Sequence, residues 1–220
     1  MLSANCQLPT ANRQPYKMES LINHLPGYRF NDYMLVLTPH EELRKKIGQV
    51  KKEFASVYKC PQALWGKSHM MLARFTQIEM MEERILNRMK SIAMGFYPVK
   101  IELKDFGSYP SHSIFIKVVS REPVRDLIRE FREAQRLLKP DAEHKPHFTD
   151  DPHLLIANKL APWQYESGWK EYAQHHFTGR FIAESMLLLK RPPGEKAWQI
   201  VERLAFQNLP VAVKQGDLFG

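Results

Sequence analysis

A chain of 220 residues with 44% hydrophobic and 25% charged residues has the composition of a globular protein, with length for one large domain or two small ones. No apolar stretch approaches a membrane span and the first residues lack the order of a signal peptide, so we expect neither membrane association nor secretion. Two cysteines are too few for a disulfide framework, and we expect a cytoplasmic protein. A net charge of +8 favours an anionic partner, such as a nucleic acid or a phosphorylated ligand.

The first part of the chain predicts alternating strands and helices after a polar tail. Residues 1–28 contain three prolines and no clear period, which is typical of a tail. Thr38 with Glu41, and Thr76 with Glu79, match capping boxes and predict two helix starts. Apolar spacing then predicts strand, helix, strand, helix and strand over residues 33–37, 39–58, 67–74, 77–94 and 97–103.

The same order of elements recurs in the second part. Strand, helix, strand, helix and strand are predicted over residues 113–119, 121–138, 151–158, 162–172 and 181–189, with a final strand over 198–206. This repeat predicts an α+β, bilobal, pseudo-two-fold fold with a central, largely antiparallel sheet and helices outside. We predict a single domain over 29–210, with lobes of about 29–108 and 109–206, and a C-terminal tail over 211–220.

Each half carries a histidine near the start of its second strand, His69 in one and His153 in the other. Histidine titrates near neutral pH and is an unusual residue for the middle of a sheet. Because the two strands hold equivalent places in the repeat, we expect both imidazoles to face one groove. Three other histidines lie next to turns or in links and are predicted to be surface residues: His112, His147 and His176.

Strand alternation predicts the neighbours of these histidines. Lys67 shares the face of His69 and is a candidate phosphate contact, whereas Arg74 points to the other face and is a weaker candidate. Met71 and Leu155 follow the two histidines on the same face. The predicted groove face of the two strands carries Lys67, His69, Met71 and Ala73, and Asp151, His153, Leu155, Ala157 and Lys159.

Residues 68–75 and 152–160 resemble the paired motifs of the two-histidine phosphoesterases, which include 2′-5′ RNA ligase-like proteins and cyclic nucleotide phosphodiesterases. The family motif is His, any residue, Thr or Ser, and an apolar residue, present twice on central strands of a bilobal fold. The resemblance covers about residues 30–190. Met71 and Leu155 stand where the family has hydroxyls that donate to the phosphate. A hydrogen bond to a charged group contributes about 1.5–3 kcal/mol, so we expect a weakened site.

The resemblance implies opening of a 2′,3′-cyclic phosphate or a 2′-5′ linkage in RNA or a nucleotide. One imidazole would act as general base and the other as general acid, with the order left open. No HExxH or CxxC set is present, so we expect no metal or other cofactor, and we expect a monomer. Two alternatives remain: an inactive RNA- or nucleotide-binding module on the same fold, and a structural protein in which both histidines belong to the core.

Overall fold

The computed structural model describes residues 27–209, so residues 1–26 and 210–220, which include most of the predicted N-terminal tail and all of the C-terminal one, lie outside the described part. Among residues 27–209, no helix combines the length and the apolar character needed to cross a bilayer. The strands are β1 Phe30–Leu37, β2 Met70–Ile78, β3 Val99–Tyr109, β4 Ser113–Val118, β5 His147–Phe148, β6 His153–Ala157, β7 Thr178–Ala183, β8 Ser185–Arg191 and β9 Gln199–Ala205. The α-helices are α1 Glu41–Val57, α2 Glu82–Met94, α3 Arg121–Glu133, α4 Gln135–Leu138 and α5 Pro162–Tyr172.

The strands form one sheet in the order β7-β3-β4-β6-β2-β1-β8-β9, with β5 paired to β2. All of these pairs are antiparallel, which confirms the predicted α+β fold. The strand order does not follow the chain order used to predict the lobes. β3 lies with the later strands β4, β6 and β7, and β8 and β9 return to β1 and β2. The two histidine strands, β2 and β6, meet where these halves of the sheet join, a junction called the seam below.

The helices cover one face of the sheet, which we call the helix face. In α1, Leu43, Ile47 and Phe54 recur at helical spacing and are buried against the sheet. The same core contains alternate side chains of the strands, such as Leu72 of β2 and Leu154 of β6. The opposite face, called the open face, carries a separate apolar cluster of Met34, Val36, Leu187 and Leu189, with Met71 and Trp198 packed against it.

Both predicted capping boxes are wrong, although both helices exist. Helix α1 begins at Glu41 after His40, which makes no side-chain cap, so Thr38 lies outside the helix. Strand β2 continues through Ile78, and a short 3₁₀ turn precedes α2. The hydroxyl of Thr76 donates to Asp32 Oδ1 of the neighbouring strand β1 at 3.0 Å. Thr76 is therefore a strand residue bonded to β1 and not the helix cap that the local sequence predicts.

Candidate active site

The two histidines come together at the seam. Strand β2 pairs with β6 through Met70 opposite Leu154. Residues opposite each other in an antiparallel pair point to the same face, and diagonal neighbours are about 7–8 Å apart. Alternation from Leu154 puts His153 on the open face, and alternation from Met70 predicts the same face for His69, one residue before β2. That both imidazoles reach one phosphate stays a prediction. In the part of the chain that the structure describes, Met70 with Leu154 is the one register pair between β2 and β6; the next residues of β2 adjoin the segment before β6, with Leu72 O accepting from the amide of Thr149 at 2.9 Å and with Ala73 and Arg74 opposite Phe148 and His147.

His153 is held by its own strand entry and by two aromatic rings. Its Nδ1 lies 2.7 Å from the carbonyl oxygen of Asp151, and its ring centroid lies 4.5 Å from that of Phe115 and 5.4 Å from that of Tyr109. A carbonyl oxygen only accepts, so Nδ1 carries the proton of this hydrogen bond. The nitrogen left to exchange a proton with a ligand is Nε2.

His69 is partly buried one residue before β2 begins. Burial lowers its pKa below 6.5, the nearby charge of Lys51 lowers it further, and hydrogen bonding to the backbone of Lys67 acts in the opposite direction. Lys51 is itself only 7% exposed, and its Nζ donates to the carbonyl oxygen of Gly66 at 3.4 Å. These effects favour the neutral imidazole of His69, the form that can accept a proton.

Met71 and Leu155 lie beside the histidines on the open face and offer no hydrogen-bond donor. Both are partly exposed. Met71 packs against the apolar cluster of β1 and β8, and Leu155 lies opposite Phe115 of β4. The floor of the site is therefore apolar at both positions next to a histidine.

A β-bulge changes the predicted position of Arg74. Leu35 lies opposite Ala73 but Val36 lies opposite Met71, so β2 has one extra residue there. Beyond the bulge the alternation reverses, and Arg74 points to the open face, where its Nη2 lies 3.1 Å from Asp32 Oδ2. The prediction that Arg74 faces away from the groove is wrong, and so is the placement of Ala73, which is buried in the core.

The second histidine strand has a bulge at the equivalent place. In β6, Leu155 lies opposite Phe115 but Ala157 lies opposite Ile114, so Ile156 is the extra residue. Ala157 is buried in the core rather than on the groove face as predicted. Lys67, the other predicted basic residue, is exposed just before His69. Its role as a phosphate contact stays a prediction.

Lys117 is a basic residue that the sequence reasoning missed. It lies opposite His153 in the pairing of β4 with β6, so its side chain emerges on the open face beside that imidazole. A Cβ added to Gly107 of β3 would lie 3.1 Å from Lys117 Cγ and 2.6 Å from Phe115 Cε2, so the absence of a side chain there makes room for both. The strand Ser113–Val118 was predicted, but only the strand order reveals that it adjoins β6.

A cavity of about 1100 Å³ lies on the helix side, away from the histidines, and is lined by residues such as Met81, Arg84 and Leu137. Neither His69 nor His153 lines this cavity. Among residues 27–209, no group of three His, Cys, Asp or Glu side chains is arranged to hold a metal ion. The chemistry available in the groove is proton transfer by imidazole, next to the ammonium group of Lys117.

An α+β fold whose antiparallel sheet carries a histidine at each of two paired central strands defines the class of two-histidine phosphoesterases. The sequence model of the 2′-5′ RNA ligase superfamily matches residues 39–195, and the chain belongs to this family. A comparison with curated proteins finds none with a significant match.

Solved structures show the same fold. E. coli LigT complexed with 3′-AMP superposes with a TM-score of 0.56 at 11% identity, covering 80% of this chain and 98% of LigT. LigT complexed with NADP⁺ gives 0.54 at 13% identity, covering 81% and 99%. The protein TT0787 of Thermus thermophilus gives 0.50 at 16% identity, covering 80% and 98%. At these identities the similarity is one of fold.

Proposed function

We propose that the chain is a metal-independent phosphoesterase that opens a 2′,3′-cyclic phosphate or a 2′-5′ linkage in RNA or a nucleotide. The observation that supports this proposal is the pairing of Met70 with Leu154, from which strand alternation predicts diagonal positions for His69 and His153 across the seam. Two imidazoles at that spacing can serve opposite sides of one phosphate. We place the enzyme in the cytoplasm, on the composition of the chain alone.

The lowered pKa of His69 suggests how the two roles are divided. Neutral His69 takes a proton from water as the water oxygen forms a bond to phosphorus. The bond from phosphorus to the 2′ or 3′ oxygen breaks, and protonated His153 donates its Nε2 proton to that leaving oxygen. Proton exchange with solvent restores both imidazoles. Each transfer contributes typically about 10²–10⁴-fold to the rate.

Phosphate binding in this site depends on charge, because Met71 and Leu155 supply no hydroxyl. Lys117 is one candidate donor, since it lies opposite His153 on the same face. Lys67 is a second candidate at the entry of β2. A flexible lysine ammonium group orients the phosphate less well than two fixed hydroxyls would, so we expect slow turnover.

Nucleotide binding is supported by the relatives. Structures of E. coli LigT contain 3′-AMP and NADP⁺, and LigT shares the fold of this chain. We therefore propose RNA ends or nucleotides as ligands. The apolar residues Met71 and Leu155 favour the second candidate function, a module that binds such ligands without turnover.

The test is hydrolysis of 2′,3′-cyclic nucleotides and of 2′-5′-linked dinucleotides, with and without a chelator. We expect slow, chelator-resistant turnover that falls by about 10²–10⁴-fold in His69→Ala and in His153→Ala. His176→Ala is the matched control, because that side chain is 90% exposed and pairs with Asp105 away from the seam. If the native chain turned over these substrates no faster than His69→Ala and His153→Ala, the proposed enzyme activity would be refuted. Retained nucleotide binding in that case would support the binding module.

A further inference from the structure

The open face continues from the histidines onto a second feature, which we call the Trp198 platform. It consists of Trp198 with Arg191 and Arg74, lying over the apolar cluster of β1 and β8. The guanidinium carbon of Arg191 lies 4.7 Å from the centroid of the Trp198 ring, and that of Arg74 lies 6.0 Å from it. Ile200, which follows in β9, is 61% exposed. The platform thus combines an aromatic ring, exposed apolar surface and two cations.

The platform has an excess of positive charge. Arg191 and Arg74 both pair with the single carboxylate of Asp32. Burial would raise the pKa of Asp32, but hydrogen bonds from Arg191 and Thr76 and the charge of Arg74 bring it below its usual value, so Asp32 stays ionised. Arg203 of β9 lies opposite Leu187 and adds an exposed cation on the same face. This side of the sheet therefore suits an anionic partner.

The platform is continuous with the candidate active site. Met71 packs against the apolar cluster and directly follows Met70, the residue of β2 that pairs with β6 at the seam. Strands β2, β1, β8 and β9 are successive neighbours, so the platform is about 14 Å across the sheet from β2 at about 4.8 Å per strand. Arg191, next to Trp198, is level with Asp32 and Thr76, about 17 Å along β2 from Met70, so the platform is roughly 22 Å from the histidines. A base at that distance belongs to a nucleotide further along the chain, not to the one whose phosphate lies between the imidazoles.

We propose that the Trp198 platform stacks a base of a single-stranded RNA, so that the substrate is an oligonucleotide ending in a cyclic phosphate rather than a free cyclic nucleotide. This inference rests on the proposed function and names its substrate class. Aromatic stacking is tolerant of base identity, and arginines beside the ring contact the phosphates. Single-stranded RNA is favoured over an apolar protein partner because the exposed apolar surface is bordered by cations.

The test compares two probes on the full chain: a pentanucleotide ending in a 2′,3′-cyclic phosphate, and the corresponding cyclic mononucleotide. Trp198→Leu keeps apolar contact with the cluster but removes the aromatic ring, and Trp198→Phe keeps a ring. The ratio of kcat/KM for the two probes should fall roughly tenfold in the leucine variant and little in the phenylalanine variant. Trp163→Ala is the control, because that ring is 53% exposed on α5, on the helix side.

Binding measurements separate this inference from the proposed function. If the native chain turns over neither probe, the enzyme proposal fails, but affinity for the pentanucleotide still reports on the platform. A roughly tenfold loss of pentanucleotide affinity in Trp198→Leu, with mononucleotide affinity retained, supports stacking. An unchanged ratio of affinities, or equal losses for both probes, overturns it and leaves the platform as a surface for a protein partner. Thermal unfolding of each variant confirms that it is folded.

Discussion

Replacing Met71 and Leu155 by threonine should supply the two hydroxyl donors that these positions lack. Each new hydroxyl can donate to a phosphate oxygen, and such a bond to a charged group contributes about 1.5–3 kcal/mol. Because 1.4 kcal/mol corresponds to a factor of ten, each substitution should tighten phosphate binding by about tenfold to a hundredfold. Both side chains are partly exposed, so the loss of apolar bulk costs stability at the low end of the range for core truncations, about 2 kcal/mol each.

The assay is calorimetric titration with inorganic phosphate, followed by turnover of a 2′,3′-cyclic nucleotide. The matched control is the variant with valine at both positions, because valine has nearly the volume of threonine and lacks the hydroxyl. Both variants should lose similar free energy of unfolding, and only the double-threonine variant should gain affinity for phosphate. Turnover should rise in the same variant if His69 and His153 act on the bound phosphate.

Two results would refute this reasoning. Equal phosphate affinity of the double-valine and double-threonine variants would mean that positions 71 and 155 do not face the ligand. Fast turnover by the native chain, abolished by His69→Ala or His153→Ala, would mean that another donor already replaces the hydroxyls. Lys117 would then be the first residue to examine.

Three further predictions follow from the geometry of the open face. Gly107→Ala should lower the free energy of unfolding by about 1–3 kcal/mol, measured by urea titration, because its new Cβ would press on the buried ring of Phe115; Gly48→Ala, with nothing within 4 Å, should not. Lys117→Met should raise KM for a cyclic nucleotide about tenfold, whereas Lys117→Arg should keep most of the affinity. Below pH 6.5, the free energy of unfolding of the native chain should fall faster than that of His69→Gln, because His69 binds a proton more readily in the unfolded chain than in its buried folded site. Urea titrations of both proteins at neutral and acidic pH measure this, and an equal loss of unfolding free energy in the two would contradict it.

Apolar spacing predicted most of the fold. Leu43, Ile47 and Phe54 are buried at the spacing that predicted α1, and the histidine strands occupy the centre of the sheet. Apolar spacing predicts these elements because a helix or strand of a folded domain buries one face, and its apolar residues recur at the period of that face. The residues flanking the histidines resemble the family motifs, and the match of the family model to residues 39–195 confirms that family.

The remaining errors have tertiary causes. The Thr76 hydroxyl binds Asp32 of the adjacent strand instead of capping a helix. The bulges in β2 and β6 depend on partner strands, so alternation alone misplaced Ala73, Arg74 and Ala157. Lys117 escaped notice because its proximity to His153 depends on strand order. Local sequence carries none of this long-range pairing.

The pairing of the two sheet halves has a mechanical consequence. Within residues 27–209, β2 meets β6 through one register pair, Met70 with Leu154, while β1 and β2 share a long ladder. A ligand bound between both imidazoles, as proposed above, would add a link between β2 and β6 to that pair and to the pairing of β5 with β2. Its binding free energy adds to the cohesion of the whole sheet, since whatever binds only the closed arrangement holds it closed. Ligand binding at the histidines should therefore also raise the thermal stability of the sheet.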